Sequence, residues 1–119
     1  MKKVLVLALT IVFVLSIGVA AQAASLTGKW SGNDGGTYYI TQIDDRVYWY
    51  GENSTISPGF ANIGVGKIVG NYIFIEATDV PKGSTNAQSD LFIYKSNDNY
   101  LYVITKDSLF GGSNWTRIN

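Results

Sequence analysis

The chain has 119 residues, nine basic and nine acidic side chains, and neither histidine nor cysteine. This composition excludes disulfide staples, histidine general bases and every Ser-His or Cys-His nucleophile system. Without a predicted leader of 23 residues, 96 residues with seven basic and nine acidic side chains remain, enough for one small domain. A net charge near minus two gives no electrostatic attraction to nucleic acid or anionic lipid.

The N-terminal segment combines positive charge with an apolar run. Two lysines precede the uncharged segment Val4 to Ala20, and the small-x-small pattern Ala21-Gln22-Ala23 follows it. This order predicts a secretory signal peptide over residues 1–23, a secreted or periplasmic location, and one domain over residues 24–119. An uncleaved membrane anchor is the alternative, because about 20 apolar residues can span a bilayer. After cleavage we expect no membrane contact.

The rest of the chain consists of short β-rich runs separated by turn residues. Their spacing of about 8 to 12 residues is typical of an all-β sandwich or barrel. No stretch has a sustained apolar period of 3.6 residues, so no substantial helix is expected. The eight predicted strands are Leu26 to Gly32, Gly36 to Ile43, Arg46 to Glu52, Phe60 to Val69, Tyr72 to Thr78, Gln88 to Lys95, Tyr100 to Lys106 and Ser113 to Ile118.

The connections predict how the strands are ordered. Short polar links at Asp44-Asp45, Gly70-Asn71 and Ser96 to Asn99 suit tight hairpins and therefore an antiparallel meander. Three longer links carry Pro, Gly, Ser and Asn and are predicted loops: Asn53 to Gly59, Asp79 to Ala87 and Asp107 to Gly112. A closed, eight-stranded, up-and-down antiparallel β-barrel is expected, because closure removes the exposed strand edges.

Several strands are apolar on both faces. Along one strand, Tyr72, Phe74 and Glu76 alternate with Ile73, Ile75 and Ala77. Along another, Tyr100, Tyr102 and Ile104 alternate with Leu101, Val103 and Thr105. A sheet with one wet face would carry polar residues on that face. We therefore expect part of the outer surface to be covered, most simply by another copy of the chain in a homo-oligomer.

Both ends of the domain resemble one protein family. The segment "LTGKWSGNDGGTYYIT", Leu26 to Thr41, contains Thr-Gly-x-Trp before a Gly-bearing turn and an aromatic strand, and "NWTRI", Asn114 to Ile118, is an aromatic-Thr-basic-aliphatic run. These two segments resemble the first and last strands of the avidin and streptavidin family, within the calycin group. The terminal layout from "GTYYI" to "FGGSNWTR" is also similar to that of small bacterial secreted proteins to which no function is assigned.

The family resemblance implies a fold and a set of roles. It implies an eight-stranded barrel in which the tryptophan of the first strand lies across the closed end, with the basic residue of the last strand stacked on it. The corresponding residues are Trp30 and Arg117, and an arginine on an indole is a favourable cation–π pair. Where the family places polar partners for biotin, this chain has Gly32 and Gly36, so the resemblance argues against biotin as the ligand.

Aromatic residues provide the candidate ligand contacts. Tyr48 and Tyr50 share one face of the strand "RVYWYGE", and rings with polar tips suit a small-molecule pocket. Packing within the sheet is the alternative role for them. The resemblance places Tyr38 inward on the second strand, and Ser113 stands where the family's bacterial binders carry an acid. These four residues form the predicted ligand-binding set.

No catalytic residue, metal ligand or cofactor is predicted. Glu52, Glu76 and Asp79 could form a glycosidase-type carboxylate pair, but solvated strand-end carboxylates are the favoured interpretation. The leading hypothesis is a secreted, non-enzymatic protein that holds a small, partly apolar ligand at the open end of the barrel. The alternative is a protein-interaction module, such as an inhibitor of an exported hydrolase or a surface assembly unit, that uses its outer face or the Asp79 to Ala87 loop.

Overall fold

The computed structural model describes residues 24–53, 55, 59–80, 88–107 and 110–118. The predicted leader, residues 1–23, and most of the predicted Asp79 to Ala87 loop lie outside these residues. The described chain forms eight strands: β1 (Gly28–Gly32), β2 (Thr37–Ile43), β3 (Arg46–Asn53), β4 (Phe60–Val69), β5 (Tyr72–Val80), β6 (Gln88–Asn97), β7 (Tyr100–Thr105) and β8 (Asn114–Arg117). Each predicted strand is confirmed, with boundaries that differ by at most two residues.

The strands close into a barrel in simple chain order. Every strand pairs antiparallel with the next, and β8 returns to pair with β1. The all-β, up-and-down barrel class is therefore confirmed, and the architecture is consistent with a calycin-like fold. Within the described residues no helix is long and apolar enough to cross a membrane.

Tight turns set the register of the hairpins. The β2–β3 turn places Asp44 at φ 55°, and the β4–β5 turn places Gly70 at φ 61°. Both values lie in the left-handed region that Gly and Asp tolerate at short hairpins. The turn between β6 and β7 lies at the same end of the barrel, which is called the turn end below. At the opposite end, called the loop end, residues 33–36 join β1 to β2 and residues 106–113 join β7 to β8.

Alternation along the strands puts one set of side chains inside the barrel. Trp30, Val47 and Ile93 are among the fully enclosed residues, and their strand neighbours face outward, as a two-residue period requires. The enclosed side chains form one continuous cluster that runs from Leu26 at the turn end to Phe110 at the loop end. The barrel is therefore a packed core along its described length, and it is stabilised without disulfides.

Candidate functional site

Four aromatic rings fill the loop-end half of the barrel interior. Tyr38, Trp49, Trp115 and Phe110 are each at most 4% exposed. The Tyr38 ring meets those of Trp49 and Trp115 edge to face, with centroids 5.3 and 5.7 Å apart, and Phe110 stacks on Trp49 at 6.3 Å. Offset and T-shaped pairs of this kind are the favourable aromatic arrangements. The rings form what we call the internal aromatic cluster.

A chain of hydrogen bonds crosses this cluster. The Tyr38 hydroxyl donates to Asp34 Oδ2 over 2.5 Å, and the Asp34 carboxylate also accepts the backbone N–H of Gly36 at 2.9 Å. The Asn62 amide donates to the Tyr38 oxygen at 3.5 Å and accepts the Trp49 indole N–H at 3.0 Å. Without these hydrogen bonds, burial of each polar atom in the apolar core would lower the free energy of unfolding.

Burial and a neighbouring carboxylate shape the ionisation of Tyr38. Desolvation raises the pKa of the Tyr38 phenol far above its ordinary value of 10.0, and the charge and hydrogen bond of Asp34 raise it further. The phenol therefore remains a hydrogen-bond donor throughout the physiological range. It cannot act as a base at this position.

Glycines make room for the rings. A Cβ atom added at Gly32 would lie 2.7 Å from the Tyr38 ring, one at Gly36 would lie 3.1 Å from it, and one at Gly51 would overlap it. A Cβ at Gly64 would come within 2.6 Å of the Trp49 indole nitrogen. Glycine at these four positions is therefore a packing requirement of the large inward rings.

One buried donor in the cluster has no partner. The Trp115 indole N–H makes no hydrogen bond, although Trp115 is fully enclosed. A weak interaction of this indole N–H with the Tyr38 oxygen lowers the pKa of the phenol and is the smallest influence on that pKa. An unmet buried N–H costs on the order of 1 to 3 kcal/mol. Among the described residues, this indole is the buried side-chain donor that lacks a hydrogen-bond partner.

Ser113 lies at the loop end in a web of backbone contacts. Its N–H and that of Asn114 donate to Asn33 Oδ1 at 2.7 and 3.1 Å, which ties the β1–β2 connection to the start of β8. Its hydroxyl accepts Lys106 Nζ at 2.9 Å, and the same ammonium donates to the carbonyls of Phe110 and Gly112. Ser113 therefore shares the loop end with Tyr38 and takes part in holding the loop.

Tyr48 and Tyr50 do not join Tyr38 inside the barrel. They are 39% and 40% exposed on the outer face of β3, and the Tyr50 hydroxyl donates to Glu52 at 3.1 Å. The inward face of β3 carries Val47 and Trp49 instead. The physical reason is the β2–β3 register, which pairs Ile40 with Trp49 and so puts Trp49 inward. The structure thus brings Tyr38 and Ser113 to one end of the barrel and separates both other tyrosines from them.

The turn end contains the Trp30 and Arg117 pair. These residues are opposite each other across β1 and β8, and Arg117 Cζ lies 4.5 Å from the centroid of the Trp30 ring. The guanidinium also donates to the carbonyls of Ser25, Thr27 and Asp98 at 2.8 to 3.0 Å, and the Trp30 indole donates to Leu26 O at 3.0 Å. This stacked geometry is the one that the family resemblance implied.

The carboxylates do not converge on one site. Glu52 and Glu76 follow the outward-facing positions of β3 and β5, whereas Asp79 lies at an inward-facing position of β5. No group of three or more potential metal ligands is present among the described residues.

No family model, curated protein or solved structure matches the chain.

The sequence analysis did not predict several residues in and around the internal aromatic cluster. Asp34, Asn62 and Phe110 come from a turn, a strand interior and a loop, and no local motif distinguishes them in the sequence. Trp49 and Trp115 had a usable signal, because strand alternation and hairpin register put both on the inner face.

Proposed function

We propose that the chain is a secreted, non-enzymatic binding protein, an avidin-like calycin barrel that holds a small, partly apolar molecule at its loop end. The observation that carries the proposal is the buried Trp115 indole N–H, which has no acceptor. A ligand oxygen at this position would complete the hydrogen bonding of the cluster. Around it, the rings of Tyr38, Trp49 and Trp115 supply the apolar walls typical of small-molecule sites.

Phe110 defines the space that the ligand would take. It is the one ring of the internal aromatic cluster that comes from a connection rather than a strand. Its ring stacks on Trp49. It also lies near the Trp115 ring, since both rings come close to the Cβ position of Gly112, at 3.1 Å for Phe110 and 3.0 Å for Trp115. A ligand that replaced this ring would gain the stacking surface of Trp49 and reach the Trp115 donor. The proposed ligand is therefore a ring-sized apolar body with one acceptor oxygen.

The same geometry argues against a biotin-type mode of binding. In the family, polar side chains two and six residues after the first-strand tryptophan reach the ligand, and here those positions are Gly32 and Gly36. The Tyr38 ring occupies the space beside both glycines. Larger polar side chains would collide with that ring, so recognition would depend on the Tyr38, Asp34 and Trp115 set instead.

The test compares two probes of equal shape. Cyclohexanone and methylenecyclohexane differ mainly in the acceptor oxygen, so their affinity ratio isolates a hydrogen bond from burial. We expect wild-type protein to favour the ketone about fivefold, and Trp115→Phe to bind both equally, because one net hydrogen bond is worth about 1 kcal/mol. Binding would be measured by thermal shift and by ligand-observed NMR titration.

The matched control is Trp30→Phe. It makes the same change at the turn end, where the indole N–H already donates to Leu26 O. This variant should lose stability while keeping the wild-type preference for the ketone. Equal binding of both probes by wild-type protein, or no binding of either, would contradict the proposal. Pull-down of a stoichiometric protein partner under the same conditions would favour the interaction-module alternative.

A further inference from the structure

The connection between β7 and β8 is organised around one ammonium group. Lys106 directly follows β7, and its Nζ donates to the carbonyl oxygens of Phe110 and Gly112 at 2.6 and 3.2 Å and to Ser113 Oγ at 2.9 Å. An ammonium group has three N–H donors, so the number of acceptors matches the number of donors. The Lys106 side chain therefore links the first residue of the connection to its last residues.

Both backbone polar groups of Phe110 are bonded within this connection. Its N–H donates to Asp107 O at 3.1 Å, and its carbonyl oxygen accepts Lys106 Nζ at 2.6 Å. The bond from the ammonium is charge-assisted, and such bonds are roughly twice as strong as neutral ones. Asp107 is tied to the barrel wall, because its own N–H donates to Ser89 Oγ at 2.8 Å. Lys106 thus supplies the stronger of the two backbone attachments of Phe110.

The two residues after Phe110 are glycines. Gly111 and Gly112 separate it from Ser113, and glycine loses more conformational freedom on ordering than any other residue. A segment with two successive glycines therefore needs bonds from other residues to keep one conformation. The Lys106 ammonium provides them, because it binds the carbonyl oxygens of Phe110 and Gly112, on either side of Gly111.

The segment held in this way carries one ring of the internal aromatic cluster. The Phe110 ring is 4% exposed and stacks on Trp49 with the centroids 6.3 Å apart. This ring occupies the space that the proposed ligand would take, so the chain and the ligand compete for the same surface of Trp49. Whatever holds Phe110 in place lowers the apparent affinity for the ligand, because the ligand binds only to the fraction of molecules in which the ring has withdrawn.

We propose that Lys106 is a positioning residue that holds Phe110 inside the barrel as an internal competitor of the ligand and so sets the affinity of the loop-end site. The inference rests on the proposed function for its ligand, but the placement of Phe110 by Lys106 can be measured without one. When Phe110 withdraws, the ammonium loses its Phe110 acceptor. Removal of the ammonium should therefore strengthen ligand binding, whereas removal of a group that contacts the ligand would weaken it.

The first test uses no ligand and follows hydrogen exchange of the indole N–H groups by NMR. The Trp115 indole N–H has no partner and is fully enclosed, so burial alone protects it from exchange. Lys106→Met should speed this exchange about tenfold, because the loss of charge-assisted bonds favours local opening at the loop end. The Trp30 indole, at the turn end, should keep its wild-type rate and so distinguishes local opening from global unfolding.

The matched control is Lys95→Met at the turn end. Lys95 is 8% exposed, and its ammonium donates to Ala24 O at 3.3 Å and pairs with Asp98 at 3.1 Å. This variant removes a buried ammonium and its bond to a backbone carbonyl, as Lys106→Met does, but away from Phe110. Trp115 exchange should stay at the wild-type rate.

Three outcomes of this test would overturn the positioning role. They are unchanged Trp115 exchange in Lys106→Met, equal acceleration of Trp115 in both lysine variants, and equal acceleration of Trp30 and Trp115. If Lys106→Met fails to fold, Lys106→Gln takes its place. The glutamine amide is uncharged and one bond shorter than the lysine ammonium, so it cannot reach all three acceptors, and Trp115 exchange should again accelerate.

The second test measures the affinity for cyclohexanone. Lys106→Met should bind it about fivefold more tightly than wild type, because one net hydrogen bond no longer opposes the withdrawal of Phe110. Phe110→Ala should also bind more tightly, and adding Lys106→Met to it should change nothing further, because the lysine acts through that ring.

The affinities separate this inference from the proposed function. Weaker binding by Lys106→Met, or the same gain in affinity with and without the Phe110 ring, would overturn the inference while leaving the proposed function intact. Faster Trp115 exchange in Lys106→Met, together with no cyclohexanone binding by any variant, would confirm that Lys106 positions Phe110 and would contradict the proposed function.

Discussion

At the scale of single residues, the burial of the Tyr38 ring explains why several positions that pack against it are glycine. Its ring fills the space that side chains at Gly32 and Gly51 would need, and its hydroxyl is committed to Asp34. The glycines thus belong to the same packing solution as the buried ring. Their role follows from close approach within the core and requires no special backbone conformation.

The buried phenol predicts how stability depends on alkaline pH. Because desolvation and Asp34 raise the Tyr38 pKa above its ordinary 10.0, the unfolded chain loses this proton at lower pH than the folded chain does. The stabilisation is complete below pH 10 and is lost as the pH rises above it. Between pH 9 and 11, Tyr38 should lower the free energy of unfolding by roughly 1.4 kcal/mol.

Urea unfolding at several pH values would measure this effect. Tyr38→Phe should lose stability at neutral pH, about 1 to 2 kcal/mol for the missing hydrogen bond, and should show the smaller alkaline decline. Tyr39→Phe, which removes the hydroxyl of an exposed tyrosine, should retain the wild-type slope. Equal slopes in wild type and Tyr38→Phe would contradict the burial argument.

At the scale of strands, the sequence predicts the fold more completely than it predicts the site. Turn residues and two-residue alternation are local signals, and they place all eight strands to within two residues. The site depends on which face of each strand turns inward. The Asp44-Asp45 turn pairs Tyr39 with Tyr50 and Ile40 with Trp49, so this register could have assigned Trp49 to the face of Tyr38. The contribution of Phe110 could not have been predicted, because its loop position follows from tertiary packing.

The closure between β1 and β8 predicts the effect of changing Arg117. This side chain stacks on Trp30 and donates to three backbone carbonyls. Arg117→Ala should cost about 2 to 4 kcal/mol of unfolding free energy, since the cation–π contact and the partly exposed charge-assisted bonds are both lost. Arg117→Lys should fall between wild type and alanine, because an ammonium lacks the planar fork.

Chemical denaturation monitored by tryptophan fluorescence would measure these costs. Arg46→Ala removes the same charge from an exposed position on β3 and should change stability by less than about 0.5 kcal/mol. Ligand affinity in Arg117→Ala should stay at the wild-type value, because this end of the barrel lies away from the internal aromatic cluster. A variant with unchanged stability and weakened ligand binding would show that the roles of the two ends are reversed.

At the scale of the whole molecule, closing the barrel and covering its outer surface have different effects. The β1–β8 pairing removes the strand edges of the meander, but it leaves large outward side chains such as Phe74 in contact with water. A small domain without disulfides has few other sources of stability. Apolar residues on both sides of β5, including Phe74 outward and Ile75 inward, are the basis for the prediction that a second copy of the chain covers part of the outer surface.

A homo-oligomer predicts that thermal stability depends on protein concentration. If folded chains are dimers and unfolded chains are monomers, mass action raises the melting temperature as concentration increases. A hundredfold increase should raise the wild-type Tm by roughly 5 to 10 °C for a domain of this size, as measured by scanning calorimetry. Phe74→Lys should show a concentration-independent Tm, whereas Tyr39→Lys should keep the wild-type dependence. A wild-type Tm that stays constant across that range would contradict the prediction, because the unfolding of a dimer to two monomers changes the number of particles.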